Sequence, residues 1–437
     1  MHLVFAAILA VTQHWLVASD LHLNPFDSSP VPAAYHTDSN WPLVRSAIAA
    51  MKKADPNPDV VVLDGDMLAH QWPTKAHAAG KDGAKAAEQT FAQVAHEFDR
   101  AFPNAQFLLT LGNNDDACGD YRTGRDSAYR DALAIAWAPL VNRHGAAPSF
   151  VHDFVHGGYY RSQLPQGRTA LVLDDVYWSL FYRPCGKGSA GSEQFGWFER
   201  TLQSLPRTQR AVVLMHIPPG IDPVATLVAH RFLVIPYLST GARLHFERDA
   251  GAYRDRIGFV LAAHMHRTEI RLSGGLPVLI ASSVSPIYEN NPSFMRVFFN
   301  GQAAPKDFQT YAYDPDDGSW SENFDFDSTF GVHAFDAQTV QRAHDRIAQD
   351  DDVRTTWTQA QAAGSDVWRN IRGTWMAYWC AQTETGDKYI SCAGDRKRTS
   401  ALFAAAVLAA LAAVAVVVLA AVWYSRRRWR PKQNSGA

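Results

Sequence analysis

Seven short runs rich in Val, Leu, Ile and Ala recur along the chain, and most of them stop abruptly at a polar side chain. They are HWLVASD (14–20), DVVVLDGD (59–66), QFLLTLGNND (106–115), TALVLDDV (169–176), RAVVLMHIPPG (210–220), IGFVLAAHMH (257–266) and LPVLIASSVSP (276–286). Runs this apolar suit strands buried on both faces, which requires sheets covered by helices. Between them, WPLVRSAIAAMKKADP (41–56) has helical spacing and stops at proline, and AEQTFAQVAHEFDRAF (87–102) reads as a second helix. The expected fold class is α/β, a two-sheet β-sandwich flanked by helices. Long loops are expected at 70–87 and 116–130. After about residue 335 the pattern turns helical, as in DAQTVQRAHDRIAQ and SDVWRNIRGTWMAYWCAQ. The organisation expected is a main domain over 14–334 and a small helical C-terminal subdomain over 335–395.

The polar residues stand where the runs end: Asp20 and His22, Asp66, Asn113, His216, and His264 with His266. Sites on α/β sheets form at the carboxyl ends of strands. Any one of these short patterns recurs by chance in many chains; the ordered set, each member closing an apolar run, is far more specific. Imidazole and carboxylate are the donors that suit borderline divalent ions, Zn²⁺ first and Mn²⁺ or Fe next. Residues two apart at a strand end point the same way, so Asp20 with His22, and His264 with His266, can each grip one ion. Seven donors exceed one tetrahedral shell. They suit two divalent metal ions with Asp66 shared between them.

This order resembles the calcineurin-like metallophosphoesterase family, whose pattern is D-x-H, G-D, G-N-H-D/E, a single His and G-H-x-H. The resemblance runs from residue 14 to about 300. It implies a four-layer sandwich in which Asp20, His22, Asp66 and His266 hold one metal and Asp66, Asn113, His216 and His264 the other. It also implies a phosphoester substrate. Two divalent ions bring water to a pKa of about 7, so a nucleophile exists at neutral pH, and their residual positive charge favours a phosphate oxyanion. Two departures are visible. Ala263 replaces the glycine before H-x-H, and Asn114 replaces the family's histidine, which stabilises the transition state or protonates the leaving group. An asparagine donates a hydrogen bond but gives up no proton.

A substitute acid is at hand. GDMLAHQW (65–72) resembles the G-D-x-x-A-H-x-x-W block of acid sphingomyelinases, in which the histidine is a second active-site histidine; here it is His70, and Trp72 comes one position early. SSVSPIYENNPSFMRVF (282–298) resembles that branch's substrate-side loop with Met295 intruding, FQTYAYD (308–314) its late strand, and WMAYWCAQ…YISC (375–392) its helical subdomain with a disulfide. G-N-N-D itself resembles the endopolyphosphatase branch, where the leaving group is a phosphate that needs less help. His70 and Asn114 are therefore the candidate catalytic and substrate-binding residues. The favoured reaction is hydrolysis of a phosphodiester, such as a phospholipid head group. The rivals are hydrolysis of polyphosphate or nucleotide phosphoanhydrides and a non-catalytic metal-binding receptor domain. Trp72, Tyr288 and Phe294 suit either a substrate cleft or packing.

A formal net charge of −2 gives no reason to expect nucleic acid as a partner. ALFAAAVLAALAAVAVVVLAAVWY (401–424) carries no charge, is long enough to span a bilayer as a helix and ends in interfacial aromatics. Arg396, Lys397 and Arg398 precede it; Arg426, Arg427, Arg428, Arg430 and Lys432 follow. The heavier basic flank places the tail (425–437) inside and the catalytic domain outside, as a single-pass membrane protein. Residues 1–13 form a candidate signal segment, although no Lys or Arg precedes LVFAAILAV and no clean cleavage site follows. Four cysteines fit two disulfides in an oxidising compartment, Cys380 with Cys392 locally and Cys118 with Cys185; the alternative is four separate thiols.

Overall fold

The computed structural model describes residues 12–229, 233–300 and 304–393. The apolar run 401–424, the tail and all but the last two residues of the candidate signal segment lie outside them. Among the described residues, no helix is long and apolar enough to cross a membrane.

The strands in chain order are β1 (Thr12–Ala18), β2 (Val60–Asp64), β3 (Gln106–Thr110), β4 (Arg122–Thr123), β5 (Tyr160–Gln163), β6 (Thr169–Val172), β7 (Arg183–Pro184), β8 (Ala211–Leu214), β9 (Ile257–Ala262), β10 (Glu269–Ser273), β11 (Leu276–Ile280), β12 (Ser293–Asn300), β13 (Pro305–Tyr313) and β14 (Trp320–Asp325). They make two six-stranded sheets, ordered β14-β13-β12-β1-β2-β3 and β10-β11-β9-β8-β6-β5, and a small β4-β7 pair. Strands β1, β2 and β3 are parallel, as are β6, β8, β9 and β11. Parallel pairing gathers the carboxyl ends of each set along one edge, where the polar residues stand.

Side-chain alternation splits the strands of the second sheet between two cores. Val212, Leu214, Phe259, Leu261 and Leu279 join Trp15, Val17, Val62 and Leu108 of the first sheet in one cluster. Val213, Val260, Val278 and Ile280 pack with Phe198 and Leu202 of helix Gly191–Ser204 and Phe246 of helix Thr240–Ala252. Fully burying one such aliphatic side chain contributes about 1.5–3 kcal/mol. Helix Trp41–Ala54 starts where the Asn40 side chain accepts from the Leu43 N–H with a proline in the first turn.

The predicted loop at 70–87 is mostly helical: Trp72–Ala78, then Gly83–Ala101, which is capped by Asp82 accepting from Lys85 N–H. The glycines and lysines there obscured a cap, Asp82, that lies five residues before the expected helix. The predicted loop at 116–130 holds β4 and the first turn of helix Ala128–Val141, capped by Ser127. The stretch 282–298 ends as strand β12 rather than loop. Phe294, Met295, Val297 and Phe299 are buried, and β12 pairs antiparallel with β1.

The chain divides into two compact units. The first extends to Gly220 and resumes at Pro236–Thr383; it holds both sheets and the helices through Trp375–Ala381, among them Ala337–Gln349, opened by an Asp336/Thr339 capping box. The second comprises Ile221–Ile235 and the residues from Glu384 on. In it, helix Pro223–Val228 is capped by Asp222 accepting from Ala225 N–H at 2.9 Å, and a second helix covers Gly386–Cys392. Cys118 is bonded to Cys185, Cys380 and Cys392 are also disulfide-bonded, and no described cysteine is free.

Candidate metal centre

Each predicted donor sits just past a strand end, and five of the seven stand on left-handed backbone. Asp20, His22, Asp66, His264 and His266 all have positive φ, from 40° to 71°. That conformation costs a non-glycine residue roughly 1–2 kcal/mol, and its repetition at five residues past three strand ends is the kind of strain that gathers at functional sites. Two glycines make room. A Cβ on Gly65 would lie 2.5 Å from His216 Nδ1, and one on Gly112 would lie 2.2 Å from Asp66 Oδ1.

The donors converge in two groups. Asp20, His22 and His266 form one, and Asp66, His216 and His264 the other. In the first, His22 Nε2 is 3.0 Å from His266 Nε2 and 3.8 Å from Asp20 Oδ1, and His266 Nε2 is 3.4 Å from Asp20 Oδ1. Asp66 Oδ2 lies between the groups, 3.5 Å from His22 Nε2 and 3.3 Å from His216 Nε2. Donors around one tetrahedral zinc lie ~3.4 Å apart, so these spacings fit. Asp20 Oδ1, Asn113 Oδ1 and His216 Nε2 are moreover buried without a hydrogen-bond partner. Such atoms are costly unless something charged or polar meets them. The donor chemistry fits divalent ions.

The surroundings fix the tautomers and the carboxylates. His216 Nδ1 donates to Asp64 O at 2.7 Å, and His22 Nδ1 faces Leu68 O at 3.3 Å, which turns each Nε2 inward. Ser19 donates to Asp20 Oδ2 at 2.6 Å. Burial, followed by the charge of His70, pushes His22 down to about 3. Burial and His216 do the same to His264, also to about 3, and burial with His22 drives His266 well below its usual range. These shifts favour the neutral form that metal donors need in three of the four rings; His216 runs the other way, raised against the opposing effect of burial by Asp66 and Asp20 to well above its usual range. Burial raises Asp20 to about 7 against the opposing pull of His216. Burial also works against ionised Asp66, but the charge of His216 holds it well below the carboxylate range.

Asn114 is placed where the family histidine would be, yet both of its donors are engaged by Asp66. Its backbone N–H reaches Oδ1 at 2.7 Å and its side-chain NH₂ reaches Oδ2 at 2.8 Å. His70 lies beside the first group, its ring stacked on that of His22 at 3.9 Å. Its Nδ1 is 2.7 Å from Asp38 Oδ1. Tyr288 stands edge-on to His70 and His266 and is half exposed. The other two aromatics are core: Trp72 is buried and donates to Gly83 O, and Phe294 is buried and stacked on Tyr311.

The sequence reading missed several polar residues. Asp115 accepts from Met67, Leu68 and Gly112 N–H and so ties the β2 and β3 loops together. Asp175 accepts from His216 and Ile217 N–H. Tyr121 sets its hydroxyl 3.4 Å from His264 Nε2. Asp115 was visible as the aspartate that closes G-N-N-D; Asp38 and Tyr121 sit in loops with no periodic signal.

A model of the calcineurin-like phosphoesterase family matches residues 14–268, and the chain belongs to that family, whose members use divalent metals. Among curated relatives, sphingomyelinase phosphodiesterase D of Dictyostelium discoideum is 26% identical over 68% of this chain and 67% of its own length. Acid sphingomyelinase-like phosphodiesterase 3b of Homo sapiens is 23% identical over 86% and 89%. Cyclic GMP-AMP phosphodiesterase SMPDL3A of Bos taurus is 25% identical over 69% of each. Within the family the chain therefore falls in the acid sphingomyelinase-like branch, and it is a metal-dependent phosphoric ester hydrolase.

Proposed function

We propose that the chain is a two-metal phosphodiesterase that hydrolyses a phospholipid head-group diester from outside a membrane. Asp20, His22, Asp66 and His266 hold one ion, and Asp66, Asn113, His216 and His264 hold the other, with zinc in both and manganese or iron as substitutes. The observation that carries this reading is Asp66 Oδ2, within 3.5 Å of a histidine from each group. When bound, the ions acidify water and draw charge from the phosphoryl oxygens. The chain's own residues do the rest. Asn114 and Ser19 hold the two aspartates in place, the backbone carbonyls of Asp64 and Leu68 aim two imidazoles, and His70 gives a proton from Nε2 to the departing oxygen.

The relatives' names support a phosphodiester, two of them with sphingomyelinase-type names and one cleaving a cyclic dinucleotide. The uncharged run 401–424, with the heavier basic flank after it, supports a membrane anchor. The test is a rate comparison on metal-loaded protein with sphingomyelin in mixed micelles, cyclic GMP-AMP, bis(p-nitrophenyl) phosphate and polyphosphate. The reading expects the lipid to be cleaved fastest. Preference for the dinucleotide would refute the lipid assignment, and preference for polyphosphate would refute the diester assignment.

A further inference from the structure

His70 is held more firmly than a loop histidine needs to be. Asp38 Oδ1 accepts from His70 Nδ1 at 2.7 Å and lies 3.4 Å from the His70 backbone nitrogen. The other Asp38 oxygen pairs with Lys75 Nζ at 3.0 Å. Asp38 is buried, and one face of the His70 ring is covered by His22 at an interplanar angle of 16°. One edge and one face of the imidazole are thus fixed. The remaining nitrogen, Nε2, faces the half-exposed Tyr288, whose hydroxyl is 3.5 Å away.

We propose that Asp38 is a positioning residue for the hydrolysis. It anchors Nδ1–H of the His70 imidazolium and so aims the second N–H, on Nε2, at the departing oxygen, while Lys75 holds the carboxylate in the orientation that does this. The assignment comes from geometry: a carboxylate with its two oxygens divided between one ring nitrogen and one ammonium can set only one rotation of that ring. The arrangement matches the general logic of an acid–base histidine oriented by a buried aspartate. It rests on the reading of His70 as the proton donor. As water's oxygen bonds to phosphorus and the ester P–O bond breaks, the Nε2 proton passes to the leaving alkoxide. The attacking water releases its own proton to solvent, and the imidazolium becomes neutral, keeping Nδ1–H on Asp38, until it takes its next proton from solvent.

The test is a leaving-group series on the metal-loaded enzyme, with phosphodiesters that expel p-nitrophenolate, phenolate and an alkoxide. Wild type, Asp38→Ala, Asp38→Asn, Lys75→Met, His70→Ala and Asp38→Ala/His70→Ala are compared, with metal content measured for each. A general acid contributes 10²–10⁴-fold, and loss of its orientation forfeits part of that. Asp38→Ala is expected to lower kcat for the alkoxide substrate about tenfold or more, and for the nitrophenyl substrate less, with KM and metal content unchanged. Asp38→Asn, which can still accept from Nδ1–H, recovers part of the loss. Lys75→Met, at a partly exposed site, shows the same selectivity more weakly and serves if Asp38→Ala does not fold. The double variant is no slower than His70→Ala. A selective loss in His70→Ala with an equal loss on all substrates in both Asp38→Ala and Lys75→Met overturns this proposal alone. No leaving-group selectivity in His70→Ala overturns the proton-donor reading beneath it.

Discussion

Replacing Asn114 by alanine separates two roles for the residue that occupies the family histidine's place. In the structure the Asn114 NH₂ donates to Asp66 Oδ2 at 2.8 Å in a buried setting. Asp66 is held ionised by the charge of His216 despite burial, so this is a hydrogen bond to a charge, worth about 1.5–3 kcal/mol. Asn114→Ala removes it and keeps the backbone N–H bond to Oδ1. If that energy goes into orienting Asp66 for its ions, metal affinity falls about 10- to 100-fold at 1.4 kcal/mol per decade. The assay is zinc competition against a chelator of known affinity, with kcat measured at saturating metal. The expected result is weaker zinc binding with kcat largely recovered when zinc is in excess. Unchanged zinc affinity with a lost kcat would refute this argument and return Asn114 to direct contact with substrate.

Other consequences can be checked separately. Gly112→Ala puts a methyl 2.2 Å from Asp66 Oδ1; the carboxylate must move, and metal content measured by plasma mass spectrometry should fall more than for Ala263→Gly at a site merely flanking the H-x-H pair. Burial, with Asp325 near it, pushes Asp307 up from 3.8 to about 6. The folded state then holds that proton more tightly, so its stability contribution is full below about pH 4 and falls as pH rises to about 6. Asp307→Asn should flatten that part of the denaturation profile. Cys118→Ala with Cys185→Ala opens a crosslink across 67 residues, with an expected loss of at most about 4 kcal/mol in urea unfolding.

What the sequence revealed divides along physical lines. The β2 and β3 strands read clearly because VVVLD and QFLLT are buried throughout, and a strand covered on both faces has no exposed side chains to dilute the pattern. The convergence of Asp20, His22, Asp66, His216, His264 and His266 was legible because strand ends fix both spacing and direction. Positions 72–87 were misread because their helix signals are a proline, an aspartate cap and alanines scattered among lysines and glycines. β12 was misread because N-N-P-S precedes it like a turn, while its burial comes from pairing with β1, nearly 300 residues away in the chain. Asp38 and Asn114 show the same limit at the site. Asn114 was conspicuous as a residue, but its bonds to Asp66 depend on the β2 and β3 loops meeting. Asp38 had no pattern at all and acquires meaning only from His70 and Lys75.

The most direct test of the two-ion centre is the metal content of purified, zinc-loaded protein beside its Asp66→Ala variant, each dialysed against metal-free buffer. Because Asp66 reaches histidines of both groups, the account predicts two ions per wild-type chain and a loss of both, not one, in the variant. A wild type that retains no ion, or an Asp66→Ala protein that still carries two, would contradict it.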